Sequence, residues 1–196
     1  MGAGVRSLPE NLPGDAARHK SACDKPAVAR RDRRDPAVIL AAMDVTEFEA
    51  FWARCREVVP AGSRAARYTV RRMGNAPAIS ETLLRLVTTG QKTGVFSRPQ
   101  DLEATGGMPR AGDYVIFTDH SGRPRCLVQI EECRSLKFCD VGSDLTACES
   151  PAAQDVEVWR GIHRRYWTPV LAAEGKSFDD EMPIVFQRFR LVRAED

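Results

Sequence analysis

No run in the sequence approaches the ~20 consecutive apolar residues that a helix needs to cross a bilayer, and no charged, apolar and small-residue leader pattern opens it. A membrane partner is therefore not expected, and a cytoplasmic location is. Charge of one sign is scarce as well. The formal net charge is +2, so no whole-molecule field gathers nucleic acid or lipid, and a nucleic-acid partner would need a local patch. Cys23, Cys55, Cys126, Cys133, Cys139 and Cys148 include no C-x-x-C pair, which argues against a zinc site and for reduced thiols. Neither a metal nor a cofactor is expected. The chain starts Met-Gly, but Arg6 stands where myristoylation needs Ser or Thr. Internal repeats are absent.

What is there is the composition of one globular domain: 43% apolar and 29% charged over 196 residues. The charge is unevenly placed. Residues 1–43 carry eight Lys and Arg against five Asp and Glu, whereas 44–196 carry 21 against 22. Residues 1–36 have four prolines and no apolar periodicity, so 1–43 are expected to be a disordered extension and 44–196 the domain. "RRDRR" within the extension reads as a solvated tail or as an RNA-binding arm. Met43 directly precedes the patterned part, and a start there would equally explain the extension.

In "TEFEAFWARCREVV", Phe48, Phe51, Trp52, Cys55 and Val59 recur at helical spacing behind a Thr46/Glu49 capping box. A second helix is expected from Pro77 to Thr89, with Ile79, Leu83, Leu86 and Val87 inward and Gly90 as its stop. "ARYTVRRMG" and "KTGVFS" read as short strands. "GDYVIFTDHSGRPRCLVQIEEC" reads as a hairpin turning at Asp119 to Gly122. The strongest helix is "DVEVWRGIHRRYWTPVLAAEG", with Trp159, Ile162, Tyr166, Val170 and Leu171 on one face and a bend at Pro169. The final strand is "MPIVFQRFRLV", where Pro183 suits a strand start or an edge. Several short strands without a βαβ rhythm imply an α+β domain: a small barrel-like sheet flanked by helices and closed by the last strand.

The ordered motifs "GNAP", "LLRLVTTGQKTGVFS", "AGDYVIF", "ACES", "VEVWRGIH" and "DDEMPIVFQRFRLV" resemble the ASCH domain family. The most specific are Gly90-x-Lys92-Thr93 after a helix, Gly112-Asp113 before a strand, and Trp159-x3-His163 with Glu149 ten residues before the Trp. The resemblance runs from about Thr46 to Val192 and implies a PUA-like β-barrel with a cleft facing RNA or a nucleotide. Lys92, Thr93 and Glu149 would be its reactive residues. Two activities are implied by relatives, hydrolysis of N-acetylated cytidine and cleavage of single-stranded RNA.

A partly desolvated lysine can clamp charge or act as a base, and a carboxylate can carry a proton to a leaving amine. The amide-hydrolysing relatives read Lys-Thr-x-Thr, with the second Thr as nucleophile. Here Val95 holds that place and has no nucleophilic atom. Ser97 lies on the same strand face but about 6.5–7 Å further along, and an ångström of misplacement can cost ~100-fold. RNA or nucleotide binding needs no such hydroxyl. Arg67, Arg71, Arg72 and Arg98 are candidate phosphate ligands, and Tyr68 and Phe96 candidate stacking rings. Asn75 reads as a turn residue or a base-edge contact, His163 as a packed histidine or a proton shuttle, and Arg188 as facing solvent or the cleft. Lys92 and Thr93 themselves read either as a helix-end cap or as a cleft lip.

Overall fold

The computed structural model describes residues 45–61 and 68–195. The extension expected over 1–43, and Arg67, lie outside those residues. Helix α1, Val45–Cys55, buries Phe48, Phe51 and Cys55. Strand β1, Tyr68–Arg72, leads to α2, Pro77–Thr88, which has its proline in the first turn as the missing N–H allows. Strand β2, Gly94–Ser97, follows, then a short α3, Pro99–Glu103. The hairpin is β3, Tyr114–Thr118, and β4, Pro124–Lys137. A one-turn α4, Ser143–Thr146, precedes α5, Val156–Ala173, and β5, Pro183–Ala194, ends the fold.

The five strands form one mixed sheet in the order β1-β3-β4-β5-β2. β1 runs parallel to β3, and every other neighbouring pair is antiparallel. The expected closure does not occur, because β5 pairs with β4 along its length and with β2, leaving β1 and β2 as unjoined edges. Their shortness limits the edge each exposes. β4 is the long element. Register shifts at Leu127/Val128 and Ile130/Glu132 bend it, as a bulge does by adding an unpaired residue to one strand. The sheet curls enough for Arg71 on one edge strand to hydrogen-bond Gln187, which is paired to the other.

Three clusters hold this sheet. α1 packs with Tyr114, Ile116 and Leu127. α2 contributes Leu84 and Val87 to a second cluster with Val115, Phe117, Val128 and Phe189. Ile79, expected inward, is exposed, and Leu84 takes the buried place. α5 covers Phe96, Ile184 and Phe186 with Trp159, Trp167 and Leu171. Its inward stripe is thus rotated from expectation, since Ile162 and Tyr166 are exposed. Two four-step stripes compete on this helix, and the one carrying both tryptophans buries far more apolar area. No helix among the described residues is long and apolar enough to cross a membrane.

Candidate functional site

Lys92 is placed by the way α2 ends. Gly90 takes φ +72°, a left-handed conformation that glycine enters without a Cβ clash. Its N–H donates to Val87 O, and Gln91 and Lys92 both donate to Leu86 O. This Schellman-type turn satisfies the open carbonyls of the last helical turn and turns the chain sharply back. Lys92 therefore lies in the two-residue approach to β2, with its side chain buried.

Glu149 reaches the same point from the loop after α4. The N–H groups of Thr93 and Gly94 both donate to Cys148 O at 2.9 Å, which docks the loop against the start of β2. Gly94 makes that approach possible, because a Cβ there would stand 2.7 Å from Cys148 Cβ and 2.9 Å from Phe186 Cε2. The loop is held from behind by Thr146 Oγ1 donating to Gln154 O at 2.6 Å, and by Gln154 Nε2 reaching the carbonyls of Ala147 and Glu149.

Lys92 Nζ then donates to Glu149 Oε2, which also accepts from Ser150 N–H at 3.2 Å. Lys92 is 3% exposed and Glu149 5%. Two charges so hidden carry a desolvation cost of several kcal/mol each, which their attraction and hydrogen bonds must offset.

His163 completes the cluster from α5. Its ring stacks on Trp159 at 4.2 Å and meets Phe96 edge-on at 5.8 Å. Nδ1 lies 3.0 Å from Trp159 O. A carbonyl only accepts, so Nδ1 carries the proton and the neutral ring presents Nε2 as a base. Burial lowers the His163 pKa; Glu149 and the Trp159 carbonyl work against that, and Lys92 adds to it. Three titratable groups, from the approach to β2, the α4 loop and α5, thus share one electrostatic neighbourhood.

The other expected residues are more scattered. Thr93 is half-buried and used through its backbone, its carbonyl accepting from Phe189 N–H. Arg188, opposite Gly94 in register, is half-buried, pairs with Glu132 at 3.2 Å and lies over the Phe186 ring. Arg98 is buried and held by Asp101 and Glu174. Ser97 Oγ accepts from Gln187 Nε2, and Asn75 stands exposed in the β1–α2 turn. Phe96 is core, 4.5 Å from Trp159 and 5.1 Å from Phe186, and is not free to stack on a base. Tyr68 leans on Trp52 at 5.2 Å.

The family model of the ASCH domain matches residues 70–193. The chain belongs to the ASCH domain family. Its fold is similar to the crystal structure of an ASCH domain from Lactobacillus crispatus, with TM-score 0.68 at 19% identity over 77% of this chain and 96% of that one. It is also similar to a protein of Enterococcus faecalis, with TM-score 0.64 at 20% identity over 78% and 96%. No curated protein matches the sequence.

In this ASCH domain Val95 is half-buried against the α2-side cluster. Gln187 was missed by sequence reasoning, although it is fully buried and joins Ser97 to Arg71. One signal was present: a lone amide in the apolar run "IVFQRF" needs partners once it is buried.

Proposed function

We propose that this ASCH domain binds an RNA strand or a nucleotide-like ligand at the cluster of Lys92, Thr93, Glu149 and His163. The carrying observation is the buried Lys92–Glu149 ion pair beside a histidine whose Nε2 has no hydrogen-bond partner among the described residues. Replacing a buried pair by apolar side chains is often neutral or stabilising, so its presence calls for a role other than stability. A ligand phosphate or base edge would meet a lysine with donors to spare and a carboxylate whose Oε1 is unbonded among those residues. Binding is favoured over amide hydrolysis because Val95 brings no nucleophile and Ser97 is engaged by Gln187. One observation favours a second reading, ribonuclease: the free Nε2 of a neutral His163 is a suitable base for a ribose 2′-hydroxyl.

The test is fluorescence anisotropy with a labelled single-stranded RNA across a salt series, following RNA chain length and loss of N-acetylated cytidine in parallel. Affinity should fall steeply with salt and be lost in the double variant Lys92→Met, Glu149→Leu. Salt-insensitive binding, or RNA binding unchanged in that variant, refutes the proposal. RNA shortening abolished by His163→Asn would establish the second reading, and lysine-dependent deacetylation would show an enzyme with another nucleophile.

A further inference from the structure

At the far end of β2 a different set of side chains has donors to spare. Arg71 Nη1–H donates to Gln187 Oε1, and Gln187 Nε2 donates to Ser97 Oγ at 3.1 Å. A guanidinium can only donate, so this fixes the direction of the whole chain. Gln187 must turn its carbonyl to Arg71 and its amide to Ser97, whose hydroxyl hydrogen is then free. Gln187 is fully buried, so the arrangement is held rigidly.

Arg71 is the unusual member. Its Nε is buried without a hydrogen-bond partner, and no carboxylate among the described residues reaches ion-pair distance of it. Burial brings its pKa down to about 10, against which Cys133 and Asp113 act only through their fields, so it remains a cation at neutral pH. Arg98 shows how this chain grips the Nε/Nη2 side of such a group: Nε and Nη2 hold the two oxygens of Asp101 at 2.9 and 2.7 Å and Glu174 adds a third contact, although Nη1 is buried without a partner. Among the described residues no carboxylate holds the same Nε/Nη2 fork on Arg71. A fork of that shape matches two oxygens of a tetrahedral or planar anion, and satisfying it in a desolvated site is worth more than at the surface.

We infer that Arg71 and Ser97 form a phosphate-binding subsite in the gap between the β1 and β2 edges, the guanidinium fork taking two oxygens and the Ser97 hydroxyl a third. Phosphate suits the set better than carboxylate, because there are three donors to match and a carboxylate offers only two oxygens. Exposed Arg72 follows on β1, adding positive charge. Tyr166 on α5 keeps 46% of its surface exposed. It lies near enough to Asp101, Arg98 and Arg72 for all three to act on its phenol, and an open aromatic ring is what a nucleobase requires. This deepens the nucleotide-like reading above and rests on it for the source of the phosphate, but not for the phosphate itself.

The experiment uses the full chain labelled with nitrogen-15 and follows the arginine Nε–H resonances, with affinities from calorimetry. Sodium phosphate, cytidine 5′-monophosphate and a short single-stranded RNA are added in turn, with sodium acetate as the carboxylate comparison. Phosphate should move one resonance that is missing in Arg71→Lys, and its affinity should fall about tenfold in that variant and several-fold in Ser97→Ala. Tighter binding of cytidine monophosphate or RNA than of phosphate identifies a nucleotide or a strand as the source, and equal binding identifies free phosphate; each supports the subsite. Phosphate that leaves the resonance in place, equal affinity in Arg71→Lys and Ser97→Ala with melting temperatures unchanged, or acetate binding as tightly as phosphate overturns it. If RNA binding ignores the Lys92–Glu149 variant while phosphate binding still needs Arg71, the earlier reading fails and the subsite stands.

Discussion

Removing one member of the Lys92–Glu149 pair should be far more damaging than removing both. With Lys92→Met alone, Glu149 is left without its cation at 5% exposure, with one backbone hydrogen bond from Ser150. With Glu149→Leu alone, the Lys92 ammonium is stranded at 3% exposure. Breaking a buried pair from either side costs about 3–5 kcal/mol. For a domain of this size each kcal/mol moves the melting temperature by about 2–4 °C, so each single variant should melt about 6–20 °C lower. The double variant hides two apolar side chains of similar volume and loses chiefly the Ser150 hydrogen bond, about 1 kcal/mol. Two independent losses would total about 6–10 kcal/mol, so the cycle should show a coupling of at least ~5 kcal/mol. Urea unfolding of the four proteins at neutral pH measures it. Single variants within ~1 kcal/mol of the parent, or a double variant as unstable as the summed singles, would show that the pair is solvated and that the reasoning from burial is wrong.

Other expectations follow from the same geometry. The folded His163 pKa is lowered from 6.5, so on acidification the unfolded chain takes up this proton first. Stability from this residue is complete above about pH 6.5 and lost as pH falls towards the lowered folded value. His163→Asn, which keeps a donor for Trp159 O, should lack that part of the slope; matching pH–stability curves for the two proteins would refute it. Gly94→Ala places a methyl 2.7 Å from Cys148 Cβ and should cost about 1–3 kcal/mol as overpacking does. It should also weaken ligand binding by pushing the Glu149 loop away. A variant with parental stability and binding would mean that the loop yields freely.

The parts of the site that could be read from the sequence are the local ones. Gly90 followed by Lys92 is legible because a helix stop is written in adjacent residues, and the Schellman turn forms there. The i, i+4 pair of Trp159 and His163 fixes a shared side of α5 by helical geometry alone, and the rings stack. Glu149 is different. It is 57 residues from Lys92, and only the family motifs, not periodicity, brought the two into one site. α3 and α4, of five and four residues, are too short to show a period. The α5 stripe was misjudged because Val158, Ile162 and Tyr166 form a second apolar ladder at the same spacing, and it is exposed. The closed barrel failed for a topological reason. The β-type apolar run "IVFQRF" identifies a strand, but nothing in it tells that both edges of β5 are already occupied.

Strand β2 gives these observations one physical frame. Four residues long, it is an edge strand preceded by the Lys92–Glu149 pair and ended by Ser97, with Arg98 directly after it. Phe96 between them is clamped by Trp159 and Phe186, so the strand is fixed by its apolar middle and keeps its polar ends in place. A short edge strand has few backbone bonds to lose and could not hold two polar sites by itself. Here the neighbouring elements supply what it lacks: the Cys148 carbonyl at one end, Gln187 at the other, and the α5 aromatics between. The polar groups with donors to spare thus sit on a stretch stabilised from outside, the condition under which a binding site can keep unsatisfied charge without unfolding its scaffold.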